Sequence, residues 1–188
     1  MNDTKNKVLQ ILLPAFRHNK SVLYIAGSDE GRILTLLSYC YDCCAEFGKI
    51  YLDGNAGSAA LLLLPHKKNN SAKAILRDLM FVIQLLSWGR IHRVMKREKN
   101  LKQLYPDPAF YHLWYVGVTP ALQQKGSGTK LLQQILSEAK NDCLSVYLET
   151  SEPRNFKWYE QQGFVLQQAI TIGGNEGYVL HAYKKPVK

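Results

Sequence analysis

The chain has 188 residues, enough for one α/β domain with a sizeable core. Hydrophobic residues make up 46% and charged residues 21%, which excludes a disordered chain. The formal charge of +9 favours anionic ligands, and a phosphate-rich cofactor and nucleic acid both qualify. The basic residues, however, come in small scattered clusters such as Lys96-Arg97 and Lys184-Lys185. These read as solvated helix faces and tails, so nucleic acid is the weaker partner.

The elements follow from periodicity. Residues 5–18 read as a short helix with Leu9, Leu12, Leu13 and Phe16 on one side. Residues 21–26 are apolar and partly β-branched, and read as a strand. Residues 30–47 space Ile33, Leu36, Leu37, Cys40, Cys44 and Phe47 as one helical stripe, with Gly48 placed for a helix C-cap. Residues 49–52 and 58–64 read as a hairpin around Asp53-Gly54-Asn55, ended by Pro65. A helix over 71–86, an interruption at Gly89 and a second amphipathic helix toward Leu104 come next. Residues 111–118 are a strand bounded by Pro120, and 129–140 a helix with Leu131, Leu132, Ile135, Leu136 and Ala139 on one face. Residues 144–150 alternate as a strand, and 155–162 form a short helix stopped by Gly163. Two strands, 164–172 and 178–183, flank a turn at 173–177. No repeat or linker divides the chain, and the element order predicts a mixed sheet covered by helices.

The four cysteines, Cys40, Cys43, Cys44 and Cys143, follow a polar start with no secretory leader, so they read as free thiols in the cytoplasm. No His pair or second Cys pair completes a metal site, so no metal is expected. No apolar run approaches the ~18 residues of a membrane span, and no membrane partner is expected.

Chemistry concentrates where the 111–118 strand turns into the next helix through Thr119-Pro120-Ala121-Leu122-Gln123-Gln124-Lys125-Gly126-Ser127-Gly128-Thr129. The first N–H groups of a helix lack partners and lie at the positive end of its dipole. A pyrophosphate there satisfies both. Glycine at 126 and 128 lets the backbone approach phosphate oxygens, and Lys125 adds a cation at the rim. A P-loop is excluded because Thr129-Lys130 follows Gly128 in the wrong order. A dinucleotide fingerprint is excluded because Leu131 stands where a third small residue belongs.

Gln123-x-x-Gly126-x-Gly128, preceded by Val116-Gly117-Val118, resembles the acetyl-CoA motif of the GNAT N-acetyltransferase superfamily. Asn155-Phe156-Lys157-Trp158-Tyr159-Glu160-Gln161-Gln162-Gly163-Phe164 resembles that family's second motif. The resemblance implies a single domain over 1–188, with acceptor-side helices and hairpin in 1–105 and an acetyl-CoA core in 106–188. It implies an α/β (α+β mixed) fold: a mostly antiparallel twisted sheet with splayed central strands and helices on both faces. The implied activity is N-acetyl transfer from acetyl-CoA, as co-substrate, to a primary amine of a small molecule or protein. Val116, Gly117 and Val118 would meet the pantetheine arm, and the Val116 N–H would serve the oxyanion. Gln123 would belong to the cofactor site, and the N–H groups of Gln124, Lys125, Gly126, Ser127, Gly128 and Thr129 would hold the pyrophosphate. Asn155 would bond the pantetheine region, and Tyr159 would protonate the leaving thiolate.

An ammonium acceptor with a pKa near that of Lys, ~10.4, must lose a proton. His112 on the cofactor strand and Glu149 on the next are the candidate bases. The bland alternatives are a strand histidine bonded to a carbonyl and a structural carboxylate. Trp114 and Tyr115 read as packing residues. Two other functions stay open at this level: a non-catalytic acyl-CoA-binding module, and an acetyltransferase of a nucleic-acid-associated substrate. The acceptor amine, the acyl length and a homodimeric state are likewise left open.

Overall fold

A computed structural model describes residues 3–53, 57–85, 88–173 and 177–187. The chain runs α1 (Asp3–Phe16), α2 (Lys20–Ala26), α3 (Glu30–Phe47), β1 (Gly48–Leu52), β2 (Ser58–Leu63), α4 (Ala72–Leu85), α5 (Trp88–Lys102), β3 (Tyr111–Val118), α6 (Ser127–Asn141), β4 (Val146–Thr150), α7 (Phe156–Gln161), β5 (Val165–Ile172) and β6 (Tyr178–Lys185). The strands form one sheet in the order β1-β2-β3-β4-β6-β5, antiparallel except at β3–β4. The expected mixed sheet with helices on both faces is what forms.

The alternation of strand side chains sorts the core into layers. Leu61, Ala59 and Tyr115 face the stripe of α1–α3. Ala60, Leu62, Tyr111, Leu113, Val146 and Leu148 face α6 and α7. Leu101 and Leu104, in and just past the end of α5, cover Tyr178, Leu180 and Ala182 of β6. The α3 stripe is buried as its spacing requires, Cys40 and Cys44 included. Lys49 and Tyr51 of β1 both bond Glu138, which ties the sheet edge to α6.

Two local expectations fail for identifiable reasons. Residues 21–26 are not a strand but α2. The Asn19 side chain accepts from the N–H groups of Ser21 and Val22, a cap that outweighs β-branched propensity, and Val22, Ile25 and Ala26 are buried at helical spacing. Gly48 is the C-cap of α3 as expected, with an extended φ of −158°, and it also opens β1. It is glycine because an added Cβ would lie 1.9 Å from the Leu62 carbonyl oxygen. Gly89 does not interrupt the helix but lies inside α5, which starts at Trp88; residues 86–87 lie outside the described residues. The centres of the two predicted turns, 54–56 and 174–176, also lie outside them.

Candidate active site

β3 and β4 pair only at Tyr111↔Val146 and His112↔Tyr147, then part. The edge that β3 turns toward β4 is therefore unpaired from Leu113 to Val118. A β-bulge decides which groups lie on it. Leu61 pairs with Tyr115 and Leu62 with Leu113, so Trp114 is an extra residue on β3. Before the bulge, Tyr111 N–H donates toward β4, to Ser145 O. Thr119, an even number of residues later, donates the other way, to Gly57 O beyond β2. One inserted residue explains this reversal, because strand groups alternate sides with period two. The reversal puts the N–H groups of Val116 and Val118 on the open edge. The carbonyl of Val118 is already taken by Gln123 Nε2, at 3.2 Å. Gly117 presses on α1, where a Cβ would lie 2.9 Å from Leu12.

The turn after β3 ends in two left-handed residues, Gln124 at φ 60° and Gly126 at φ 86°. Gly126 occupies the N-cap of α6 without a side-chain cap bond. The first backbone bond of the helix is Lys130 N–H to Gly126 O. The amides of Gly126, Ser127, Gly128 and Thr129 have no acceptor among the described residues. A Cβ on Gly126 would meet nothing within 4 Å, so the space before these amides is open, whereas Gly128 sits against Val118 and Trp158. Trp158 Nε1 donates to Thr129 Oγ1 at 3.1 Å, binding α7 to this end of α6. Lys125 stands exposed at the rim.

His112 and Glu149, on adjacent parallel strands, meet on the face covered by α5: His112 Nε2 lies 3.1 Å from Glu149 Oε2. Both side chains are largely buried, 11% and 7% exposed, so neither is a surface group. Desolvation lowers the His112 imidazole to about 3, and the Arg97 charge adds to this. Desolvation raises the Glu149 carboxyl to about 8, against the pull of Arg97 and with the help of Glu98. Glu149 Oε1 is buried with no partner among the described residues, so the pair has one acceptor to spare.

Tyr159 lies on the opposite face of the sheet, packed edge-on against Phe164 with ring centroids 5.7 Å apart. Burial alone raises its hydroxyl, which stays protonated as a donor at neutral pH. Asn155 caps α7 without a side-chain bond to it. The structure thus joins His112 to Glu149 but separates both from Tyr159 by the thickness of the sheet. Tyr115 is core, edge-on to Phe16, while Trp114 is the bulge itself. Arg97 escaped notice in the basic run of α5, where Lys96-Arg97 reads as solvated. Lys96 is exposed and Arg97 buried. The signal was its phase, since Val94, Arg97, Leu101 and Leu104 recur on one helical face.

Residues 87–164 match the family model described as the acetyltransferase (GNAT) family. An uncharacterized N-acetyltransferase of Schizosaccharomyces pombe is 41% identical over 66 residues, spanning 35% of this chain and 27% of that protein. The matched segment thus covers about a quarter of that relative's length. Among solved structures, a Corynebacterium glutamicum protein described as histone acetyltransferase HPA2 and related acetyltransferase superposes with a TM-score of 0.67 at 16% identity, over 100% of this chain and 93% of that one. The Drosophila melanogaster polyamine N-acetyltransferase gives 0.65 at 12%, over 100% and 98%. Arylalkylamine N-acetyltransferase 2 of Aedes aegypti gives 0.66 at 13%, over 98% and 94%. The parted strands and the bare amides beyond them thus fall within a segment, residues 87–164, that matches the GNAT acetyltransferase family, in a chain whose whole fold is that of solved acetyltransferases.

Proposed function

We propose that the chain transfers an acetyl group from acetyl-CoA to a primary amine of a small molecule or protein. The observation that carries this reading is the parting of β3 from β4, with the unpaired amides of Gly126 through Thr129 at the open end. Four amide donors, an open approach at Gly126 and Lys125 at the rim suit a diphosphate. The N–H groups of Val116 and Val118 suit an extended amide-bearing arm laid along β3 as an added strand. The cofactor supplies an acyl thioester, activated toward amines.

The chain's own groups then divide the proton work. Glu149, with its free Oε1 and with His112 behind it, takes the proton of the acceptor ammonium. The Val116 N–H donates to the acyl oxygen as charge develops there. Tyr159 holds a proton for the departing thiolate from the α7 face. The acceptor thus enters over the face covered by α5 and the acyl donor from the face of α6 and α7, and the gap in the sheet lets them meet. That α5 reaches the His112–Glu149 pair supports an acceptor-side role for the first half of the chain, within one domain.

Calorimetry with CoA, followed by thiol-release assays over arylalkylamines, polyamines and peptide N-termini, tests the reading. The fold neighbours named for arylalkylamines and a polyamine justify that panel. A folded protein that fails to bind CoA at millimolar concentration refutes it.

A further inference from the structure

Residues 66–104 hold almost all of the chain's net charge. They carry ten Lys and Arg against two acids, Asp78 and Glu98, a net +8 of the total +9. Both acids are engaged by neighbours: Asp78 accepts from the Tyr39 hydroxyl at 2.9 Å, and Glu98 pairs with Arg97. The same segment bears a ridge of bare aliphatic surface. Among the described residues eleven large apolar side chains are exposed, and five of them, Ile75, Leu76, Leu79, Met80 and Ile83, lie on α4 at 44% to 66% exposure. Their spacing places them along one side of the helix. α4 is thus turned the reverse of an ordinary surface helix. Its charged and aromatic residues meet α3: Arg77 donates to Glu46 at 2.5 Å, Asp78 meets Tyr39, and Phe81 stacks on the Tyr39 ring at 3.9 Å. Lys73, exposed two turns before Met80, borders the ridge. In α5, Arg97 and Leu101 turn inward, while Met95, Lys96, Lys99 and Lys102 stand exposed.

We propose that α4 and α5 dock the protein on an anionic lipid surface, the aliphatic ridge of α4 entering the interface and the lysines of the segment meeting the headgroups. This goes beyond the acetyl-transfer reading and does not depend on it.

Charge and shape select this occupant over others. A second copy would set the same +8 segment against its own, and like charges oppose pairing through this face. Nucleic acid would take the lysines through its phosphates but leave five aliphatic side chains in water. Protein grooves are anchored chiefly by Trp, Tyr and Arg, and the ridge has none of these and no side-chain hydrogen-bonding group. A convex aliphatic row beside cations needs only fluid hydrocarbon under a layer of negative charge. The expectation of no membrane partner rested on the lack of a spanning run. No helix among the described residues is long and apolar enough to cross a membrane, and a surface contact needs none.

Co-sedimentation of the full chain with lipid vesicles tests this. Phosphatidylcholine vesicles with about 30 mol% phosphatidylserine should carry the protein down, and phosphatidylcholine alone should bind at least about tenfold more weakly. Leu79→Glu with Ile83→Glu should weaken binding at least about tenfold at an unchanged melting temperature, because both side chains are exposed. Leu79→Gln with Ile83→Gln serves if the charged pair does not fold. Lys96→Gln, Lys99→Gln and Lys102→Gln together should cut binding at least about tenfold and flatten its salt dependence. Val165→Glu, on the exposed edge strand β5, should change nothing. A wild type that stays in the supernatant with anionic vesicles overturns the proposal. Binding lost in the lysine variant but kept in both ridge variants is adsorption by charge alone, and overturns it too. Binding to single-stranded RNA that exceeds vesicle binding and survives the ridge variants assigns the segment to nucleic acid, and dimerisation abolished by those variants assigns the ridge to a second copy; either result overturns the lipid contact.

Discussion

Glu149→Gln gives the sharpest test, because the pair's titration reaches stability and rate by separate routes. In the folded chain Glu149 is raised from 4.5 to about 8 by desolvation, and His112 is lowered from 6.5 to about 3, also chiefly by desolvation. The folded pair therefore holds one proton from about pH 3 to about pH 8. Unfolded, the same groups hold two protons below 4.5, one between 4.5 and 6.5, and none above 6.5. Between 6.5 and 8 the folded state binds the extra proton, so stability falls as pH rises. At ~1.4 kcal/mol per pH unit, that window costs about 2 kcal/mol. Below 4.5 the unfolded state binds the extra proton, and stability falls as pH drops. Glu149→Gln removes the carboxyl, so the alkaline decline should vanish while the decline on acidification stays with His112. Urea unfolding at intervals from pH 5.5 to 8 measures this. The rate arm runs in parallel: wild-type kcat/KM should rise with pH through about 8, and the Gln variant should lose about 10²- to 10⁴-fold. Equal alkaline slopes in the two proteins, or an unaltered rate profile, would refute the shared-proton pair.

Other substitutions probe the remaining parts. Tyr159→Phe should lower turnover with little change in CoA affinity or melting temperature, since the hydroxyl has no hydrogen-bond partner among the described residues; unchanged turnover removes it from the acid role. Gly126→Val forces a branched side chain into a left-handed residue, at about 1–2 kcal/mol, and projects it into the open space before the amides. Calorimetry should show CoA binding weakened at least about tenfold, and unaltered affinity counts against the diphosphate site. Gly48→Ala should destabilise by about 3 kcal/mol or more, read by thermal unfolding, because its Cβ meets the Leu62 carbonyl with no flexible neighbour to yield.

Several features were legible in the sequence because they depend on spacing within one segment. The α3 stripe, the strand from Tyr111 to Val118 and the glycine-bearing turn into α6 are local patterns, and the turn's partnerless amides follow from any helix start. Where two local signals compete, spacing alone misleads. In α2 the β-branched residues argue for a strand while the Asn19 cap imposes a helix. Gly48 carries its reason in Leu62, on the neighbouring strand.

The pairing of His112 with Glu149 belongs to tertiary structure, since the residues lie 37 apart and meet only through the short parallel ladder of β3 and β4. The bulge at Trp114 depends on the register against β2, and it alone turns Val116 and Val118 toward the gap. The inward turn of Arg97 needs Ser21 and Tyr178 to receive it, 76 and 81 residues away. Sequence spacing sets which face of a helix or strand a side chain occupies. What stands opposite that face, and so whether a charge is solvated or buried beside another, is set by how the elements pack.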